Sequence, residues 1–176
     1  GTNDLRITTR FNEGTFYDAM SSTMHEAGHA FYEAQLLEEF EGTPLSESST
    51  MGIHESQSRL WENMVGRSSW FCQYFLPKIA EHFPALSSLS ETDCFLAINH
   101  FSPGFIRVDA DELTYNLHIA IRYQLEKALF ARELKVSDLP SAWNELYLKH
   151  LGIKVTNDSQ GVLQDVHWST GSFGYF

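Results

Sequence analysis

The sequence predicts a mainly α-helical chain with two or three short strands. Three observations carry that expectation. Apolar residues recur at three- and four-residue steps over long stretches. Helix punctuation, with proline just inside a start and glycine just past an end, frames several of those stretches. Runs of β-branched residues are short and few. In 176 residues, 43% hydrophobic and 14% aromatic, there is apolar mass for a packed core and too much of it for a disordered chain.

Residues 4–11, with Ile7, Thr8 and Thr9, read as a short strand. From Gly14 to Phe40 the period turns helical, with Phe16, Met20, Thr23, Ala27, Ala30, Phe31 and Ala34 drawing one stripe. Gly, Pro and Ser/Thr make 41–50 a loop. Helices follow at 51–66, ending near Gly66, and at about 68–82, where Pro77 should kink or break the element. A short helix fits 90–100. A turn and a brief strand fit 103–108. The next helix, about 110–133, carries Leu113, Leu117, Ile121, Leu125 and Leu129 at strict four-residue steps, with Asp109, Asp111 and Glu112 where the helix dipole favours negative charge. Ser137 and Asp138 open a helix with Pro140 in its first turn and Gly152 past its end; 154–176 reads as irregular. No internal boundary divides the pattern, so 1–176 reads as one segment.

With 12 Lys plus Arg against 23 Asp plus Glu the net charge is −11, which argues against nucleic acid and against an anionic membrane surface as partners. No run of about 18 apolar residues suggests a membrane span. Two cysteines make no disulfide framework, and the first residues lack a signal-peptide pattern. These features point to a cytoplasmic chain. The start at Gly1 and the aromatic run toward Phe176 suggest a segment of something larger, against the alternative of a tail docked on its own core.

Residues 25–29 read His-Glu-Ala-Gly-His. On a helix His25 and His29 face the same way one turn apart, a spacing at which two imidazoles grip one Zn²⁺. Glu26 lies beside the first of them, placed to hold a metal-bound water and take its proton. With 8 His and 15 Glu in the chain, a shuffled sequence shows this pattern about 0.03 times. The alternative is two histidines on a solvated helix face. A third ligand is required, and residues 54–57, His-Glu-Ser-Gln, offer Glu55, with His54 as local rival and Glu62 one helical repeat further on.

The chain resembles the carboxypeptidase Taq family of metallocarboxypeptidases. Asp4 to Thr8 matches Asp-x-Arg-x-Thr, 25–29 the zinc helix, and 54–57 His-Glu-Ser-Gln. Ile106 to Asp111 matches Ile-Arg-x-x-Ala-Asp, and Gly161 to Trp168 matches Gly-x-x-Gln-Asp-x-His-Trp. The resemblance implies a helical metallopeptidase in which His25, His29 and Glu55 bind the metal and Glu26 is the catalytic carboxylate. It also implies a homodimer. The family's earlier His-Pro-Phe motif and its long helical N-terminal half are absent here. The segment is thus expected to be the catalytic side of a longer enzyme that also continues past Phe176.

The expected function is a metal-dependent carboxypeptidase hydrolysing the C-terminal bond of peptides with a free C-terminus, through a metal-bound water activated by Glu26. Two His and one carboxylate suit Zn²⁺ and also Co²⁺ or Mn²⁺. Recognition of the terminal carboxylate wants a forked cation, and Arg107 is the candidate, against a surface arginine paired with Asp109 or Asp111. Arg6 reads as structural. His167 is a candidate donor to the tetrahedral oxyanion, against a packed histidine fixed by Asp165. Tyr175 is a further donor, against simple packing. Asp111 and Glu112 either orient the metal histidines or cap their helix. His82, His100, His118 and His150 have no partner at ligand spacing, and read as structural or exposed. The rival functions are an aminopeptidase or endopeptidase with the same metal core, and a metal-binding fragment that only associates with a partner chain.

Overall fold

The computed structural model describes residues 4–48 and 50–174. Their order is helical: α1 (Phe16–Glu33), α2 (Met51–Arg59), α3 (Ser69–His82), α4 (Glu91–Ile98), α5 (Glu112–Phe130), α6 (Leu139–Leu151) and the single-turn α7 (His167–Thr170), with short 3₁₀ turns and one π turn in the connections. The chain divides between Asn99 and His100 into two compact units, α1–α4 and α5–α7.

In the first unit α1 lies against α2 and against a wide π turn, Leu60–Val65, that continues α2. The residues α1 buries are small: Ala19, Ser21 and Gly28. The larger residues of its expected stripe, Phe16 and Phe31, stay more exposed and meet Phe83 and Trp61 at ring separations of 4.8 and 5.3 Å. α1 stops at Glu33 rather than running on to Phe40: the chain turns at Ala34, and the Gln35 amide donates to the Phe31 carbonyl. Thr50, Ser68 and Ser90 cap α2, α3 and α4 through their hydroxyls, which supply the acceptor a helix start lacks. α3 runs unbroken through Pro77, with Phe71, Cys72 and Leu76 buried on one side. Burial and the neighbouring Cys94 push the Cys72 thiol up to about 12, so it stays protonated at neutral pH.

The expected strands do not form: among the described residues there is none. Residues 4–11 have no regular secondary structure and are mostly exposed, and 103–108 is a loop leading into a 3₁₀ turn at Arg107–Asp109. β-branched side chains favour a strand only where a second strand supplies hydrogen bonds and a packed face, and neither segment has one among the described residues.

In the second unit Ile121, Leu125, Leu139, Trp143, Tyr147, Leu151, Val155 and Val162 make the core. The strict leucine stripe of α5 is only half buried: Ile121 and Leu125 are inside, while Leu113 is 72% exposed. Four residues turn a helix by about 400°, so a four-step row drifts by about 40° per step and leaves the core face within two steps. The buried face takes Thr114, His118, Arg122 and Glu126 as well. α6 ends as expected, with Gly152 left-handed at φ 70°.

His118 is buried against Tyr147. The Tyr147 hydroxyl donates to the Phe105 carbonyl at 3.2 Å, so it accepts from His118 Nδ1 at 2.8 Å. Burial, helped by the Arg107 charge and opposed by Asp111, lowers the imidazole to about 4. An unfolded histidine titrates near 6.5, so between about 6.5 and 4 the unfolded state holds the extra proton. The stability this neutral ring contributes is complete above pH 6.5 and is lost as pH falls toward 4. Thermal melts across that range should show the second unit loosening, and a His118→Phe variant should flatten the dependence.

Candidate metal centre

Two adjacent helices of the first unit build the centre. α1 presents His25 and His29 one turn apart, and α2 presents Glu55. Their approach depends on Gly28. A β-carbon there would stand 2.5 Å from both the Gln57 carbonyl oxygen and the Ser58 Cα, so only glycine lets the α2 backbone lie this close. Ser58, fully buried at the crossing, donates to the Glu55 carbonyl at 2.7 Å and fixes that turn.

The result is three converging donors. His25 Nε2 and His29 Nε2 lie 3.2 Å apart, and the two Glu55 oxygens lie 3.6 Å from the first and 3.3 Å from the second. One ligand atom from each of the three lies within 4.8 Å of the others. Behind them the rings are engaged. His25 Nδ1 donates to Glu62 Oε2 at 2.9 Å, and Glu62 also accepts from Ser21 at 3.1 Å and Arg59 at 3.0 Å. His29 Nδ1 meets His54 Nδ1 at 2.6 Å, and His54 Nε2 meets Glu33 Oε1 at 2.7 Å.

The electrostatics follow. The Glu62 hydrogen bond raises His25 above the ordinary imidazole value despite burial, and the charges of Glu55, Glu62 and Glu26 add to it. Burial lowers His29, with the His25 and His54 rings adding to the effect against Glu55. Burial pushes Glu62 up, but the His25 hydrogen bond, the Arg59 charge and the Ser21 hydroxyl outweigh it and hold the carboxyl low. The charge of Glu26 reaches both metal-facing rings, and its carboxylate makes no hydrogen bond among the described residues. The donor set fits a divalent ion. Two imidazoles with Nδ1 already occupied offer their Nε2 lone pairs, and one carboxylate completes a three-ligand set of the kind that leaves a position open.

The three residues the sequence left open for the third ligand have thus separated. Glu55 faces the other two donors, Glu62 stands behind His25, and His54 stands behind His29. Gly28 and Glu33 also shape the centre. A glycine in mid-helix, which costs about 1 kcal/mol against alanine, is the sequence signal for the first; the sequence carries none for the second.

The other candidates lie in the second unit, apart from Arg6, whose guanidinium forks onto exposed Asp4 at 2.9 and 2.7 Å. Arg107 makes no ion pair with Asp109 or Asp111. Its Nη1 donates to the Tyr115 hydroxyl at 2.6 Å, and its backbone N–H donates to Gln164 Oε1 at 3.1 Å. Gln164 donates in turn to the Phe105 carbonyl at 2.7 Å, so the last motif clamps the loop of the fourth. Asp111 caps α5, accepting from Leu113 N, Thr114 N and Oγ1, and Ser102 N.

His167 Nδ1 sits 2.5 Å from Asp165 Oδ1. Asp165 is buried beside Arg122, whose Nε reaches Asp165 Oδ2 at 3.1 Å and Glu126 at 3.0 Å and whose Nη2 donates to the Ser172 carbonyl at 3.0 Å. His167 is therefore fixed by Asp165 while remaining partly exposed. Trp168 packs on Trp143 and Phe173. Tyr175 lies outside the described residues.

A family model for the carboxypeptidase Taq (M32) metallopeptidases matches residues 1–176. The chain belongs to this family. Carboxypeptidase 1 of Bacillus subtilis is 51% identical over 174 residues, covering 98% of this chain and 35% of the relative. The M32 carboxypeptidase of Deinococcus radiodurans has the same fold over 96% of the chain, with a TM-score of 0.92 and 47% identity, and 34% of that structure is covered. Trypanosoma cruzi metallocarboxypeptidase 1 matches at a TM-score of 0.94 and 38% identity, over 99% of this chain and 35% of the other. The chain thus spans about a third of the length of the carboxypeptidase Taq relatives it matches.

Proposed function

We propose that this chain is the metal-bearing part of a carboxypeptidase, a catalytic segment within a longer helical enzyme that removes residues from the free C-terminus of peptides. The observation that carries the reading is the convergence of His25, His29 and Glu55 in a member of a metallopeptidase family. A divalent ion held there, Zn²⁺ with Co²⁺ or Mn²⁺ as alternatives, supplies Lewis acidity to the scissile carbonyl and acidifies water.

The chain's own residues do the rest. Glu26, close to both metal-facing rings and free of other hydrogen bonds among the described residues, takes the proton of the attacking water and passes it to the leaving amine. Arg107 takes the substrate's terminal carboxylate. Its guanidinium is held by a neutral phenol rather than a carboxylate, so its charge is not already neutralised. His167, held at Nδ1 by Asp165, donates from Nε2 to the developing oxyanion when its ring carries both protons, and Tyr175 adds a second donor. A homodimer comes into this reading from the family resemblance, and a cytoplasmic setting from the free cysteines. No helix among the described residues is long and apolar enough to cross a membrane.

Two measurements test it. The purified chain should retain close to one equivalent of divalent metal; less than about a tenth of an equivalent would remove the metal assignment. The full-length enzyme should hydrolyse an N-blocked dipeptide and leave its C-amidated counterpart intact. Equal cleavage of the two would end the carboxylate role of Arg107 and favour an endopeptidase.

A further inference from the structure

Hydrogen placement at the metal centre leads away from the ligands to a pair that no motif role covers. The Nε2 atoms of His25 and His29 face each other and Glu55, so each ring must carry its proton on Nδ1 to leave a lone pair for an ion. For His25 this is direct, since Nδ1 donates to the Glu62 carboxylate. For His29 the Nδ1 neighbour is another imidazole nitrogen, His54 Nδ1, at 2.6 Å. Two ring nitrogens at that distance share a single proton. If His29 owns it, His54 Nδ1 must be bare and the His54 proton must sit on Nε2, which lies 2.7 Å from Glu33 Oε1. A carboxylate has no proton to offer, so Glu33 selects that tautomer of His54.

We propose that Glu33 and His54 form a positioning relay that holds His29 in the tautomer whose Nε2 lone pair faces the metal site. The relay rests on the metal-centre reading above. It gives the second histidine what Glu62 gives the first, with an imidazole inserted because Glu33, one turn beyond His29 on α1, meets His54 rather than His29. His54 is thereby a support for a ligand rather than a ligand. Its Nδ1 and Nε2 are both engaged away from Glu55. Outer partners of this kind set ring orientation and basicity, and their loss weakens metal binding by 10–100-fold.

Two variants of the 176-residue chain test the relay, His54→Phe, which keeps a ring but no acceptor, and Glu33→Ala, which leaves His54 in place without its selector. Competition for Zn²⁺ against a chelator should show affinity falling 10–100-fold in both, with helicity and melting temperature of the metal-free chains near the parent's. Long-range ¹H–¹⁵N spectra of the metal-free parent should show His29 protonated on Nδ1 and His54 on Nε2, and the His29 pattern should become mixed in Glu33→Ala. Affinities within about twofold of the parent in folded variants, or a parent His29 protonated on Nε2, would overturn the relay. A parent that takes up no metal overturns the metal reading itself, while the spectra still decide the relay separately. Glu33 is partly exposed, so its variant carries the test if His54→Phe does not fold.

Discussion

Replacing Gly28 by alanine is expected to disable the metal centre although no ligand is touched. In an exposed helix this exchange stabilises by about 1 kcal/mol. Here the added carbon would meet the backbone of α2 at two points, both at 2.5 Å, and backbone cannot rotate aside as a side chain does. Overpacking of this kind costs about 1–3 kcal/mol, enough to reverse the propensity gain. The larger effect is geometric. Relieving the clash separates α1 from α2, and the ligands divide between those helices, His25 and His29 on one and Glu55 on the other. Ligand distances must hold to about 0.2 Å, so metal affinity should fall on the order of 100-fold or more, beyond the loss of an outer partner. Gly52→Ala is the matched control. It lies in α2, with Thr50 Oγ1 at 3.8 Å as its nearest neighbour, and should leave affinity unchanged and stability the same or higher. Chelator competition and thermal melts read both. An alanine at position 28 that kept metal affinity within about threefold would show that the crossing has slack.

The second large effect is expected at Glu26. Glu26→Gln keeps the volume and removes the ability to accept a proton. Glu26 is outside the converging set of His25, His29 and Glu55 and has no hydrogen-bond partner among the described residues, so the exchange leaves the centre's scaffold intact. In the full-length enzyme kcat should fall by 10²–10⁴-fold, which is about 3–5 kcal/mol of barrier, with metal content unchanged. The split between the two readouts matters. Loss of metal would make Glu26 part of the cage, and a kcat within about tenfold of the parent would assign the proton transfer elsewhere.

What the sequence made legible follows from where each signal is stored. Helical period and caps are local, so α2, α5 and α6 fall close to where the pattern places them. The i, i+4 pair His25 and His29 is local too. Choosing among His54, Glu55 and Glu62 was not. All three come to the centre in different roles, and the choice depends on a crossing between helices that period alone does not encode. The strands failed for the complementary reason: a strand is a pairing, and Ile7, Thr8 and Thr9 state a preference with nothing to pair with among the described residues. Arg122, Glu126 and Asp165 show the same limit. Each is a charged residue of a surface type, yet the side chains of all three are shielded from solvent and satisfy one another. Among buried ions, removing one partner strands the next, so this cluster sets the local geometry of His167 by being hard to alter.

The short reach of the first unit's polar contacts has a consequence for how the centre comes into being. The contacts that build it span 25 residues, His29 to His54, and 37, His25 to Glu62, whereas the ties of the second unit span 57 and 59, Arg107 and Phe105 to Gln164. The three converging donors and the side chains that back them all lie between Ser21 and Glu62. A chain that emerges from the ribosome N-terminus first, at about 5–20 residues per second, therefore has its whole donor set exposed while α5 and α6 are still unsynthesised. On the metal reading proposed above, an ion could be taken up before the polypeptide is complete and would then staple a nascent helical hairpin.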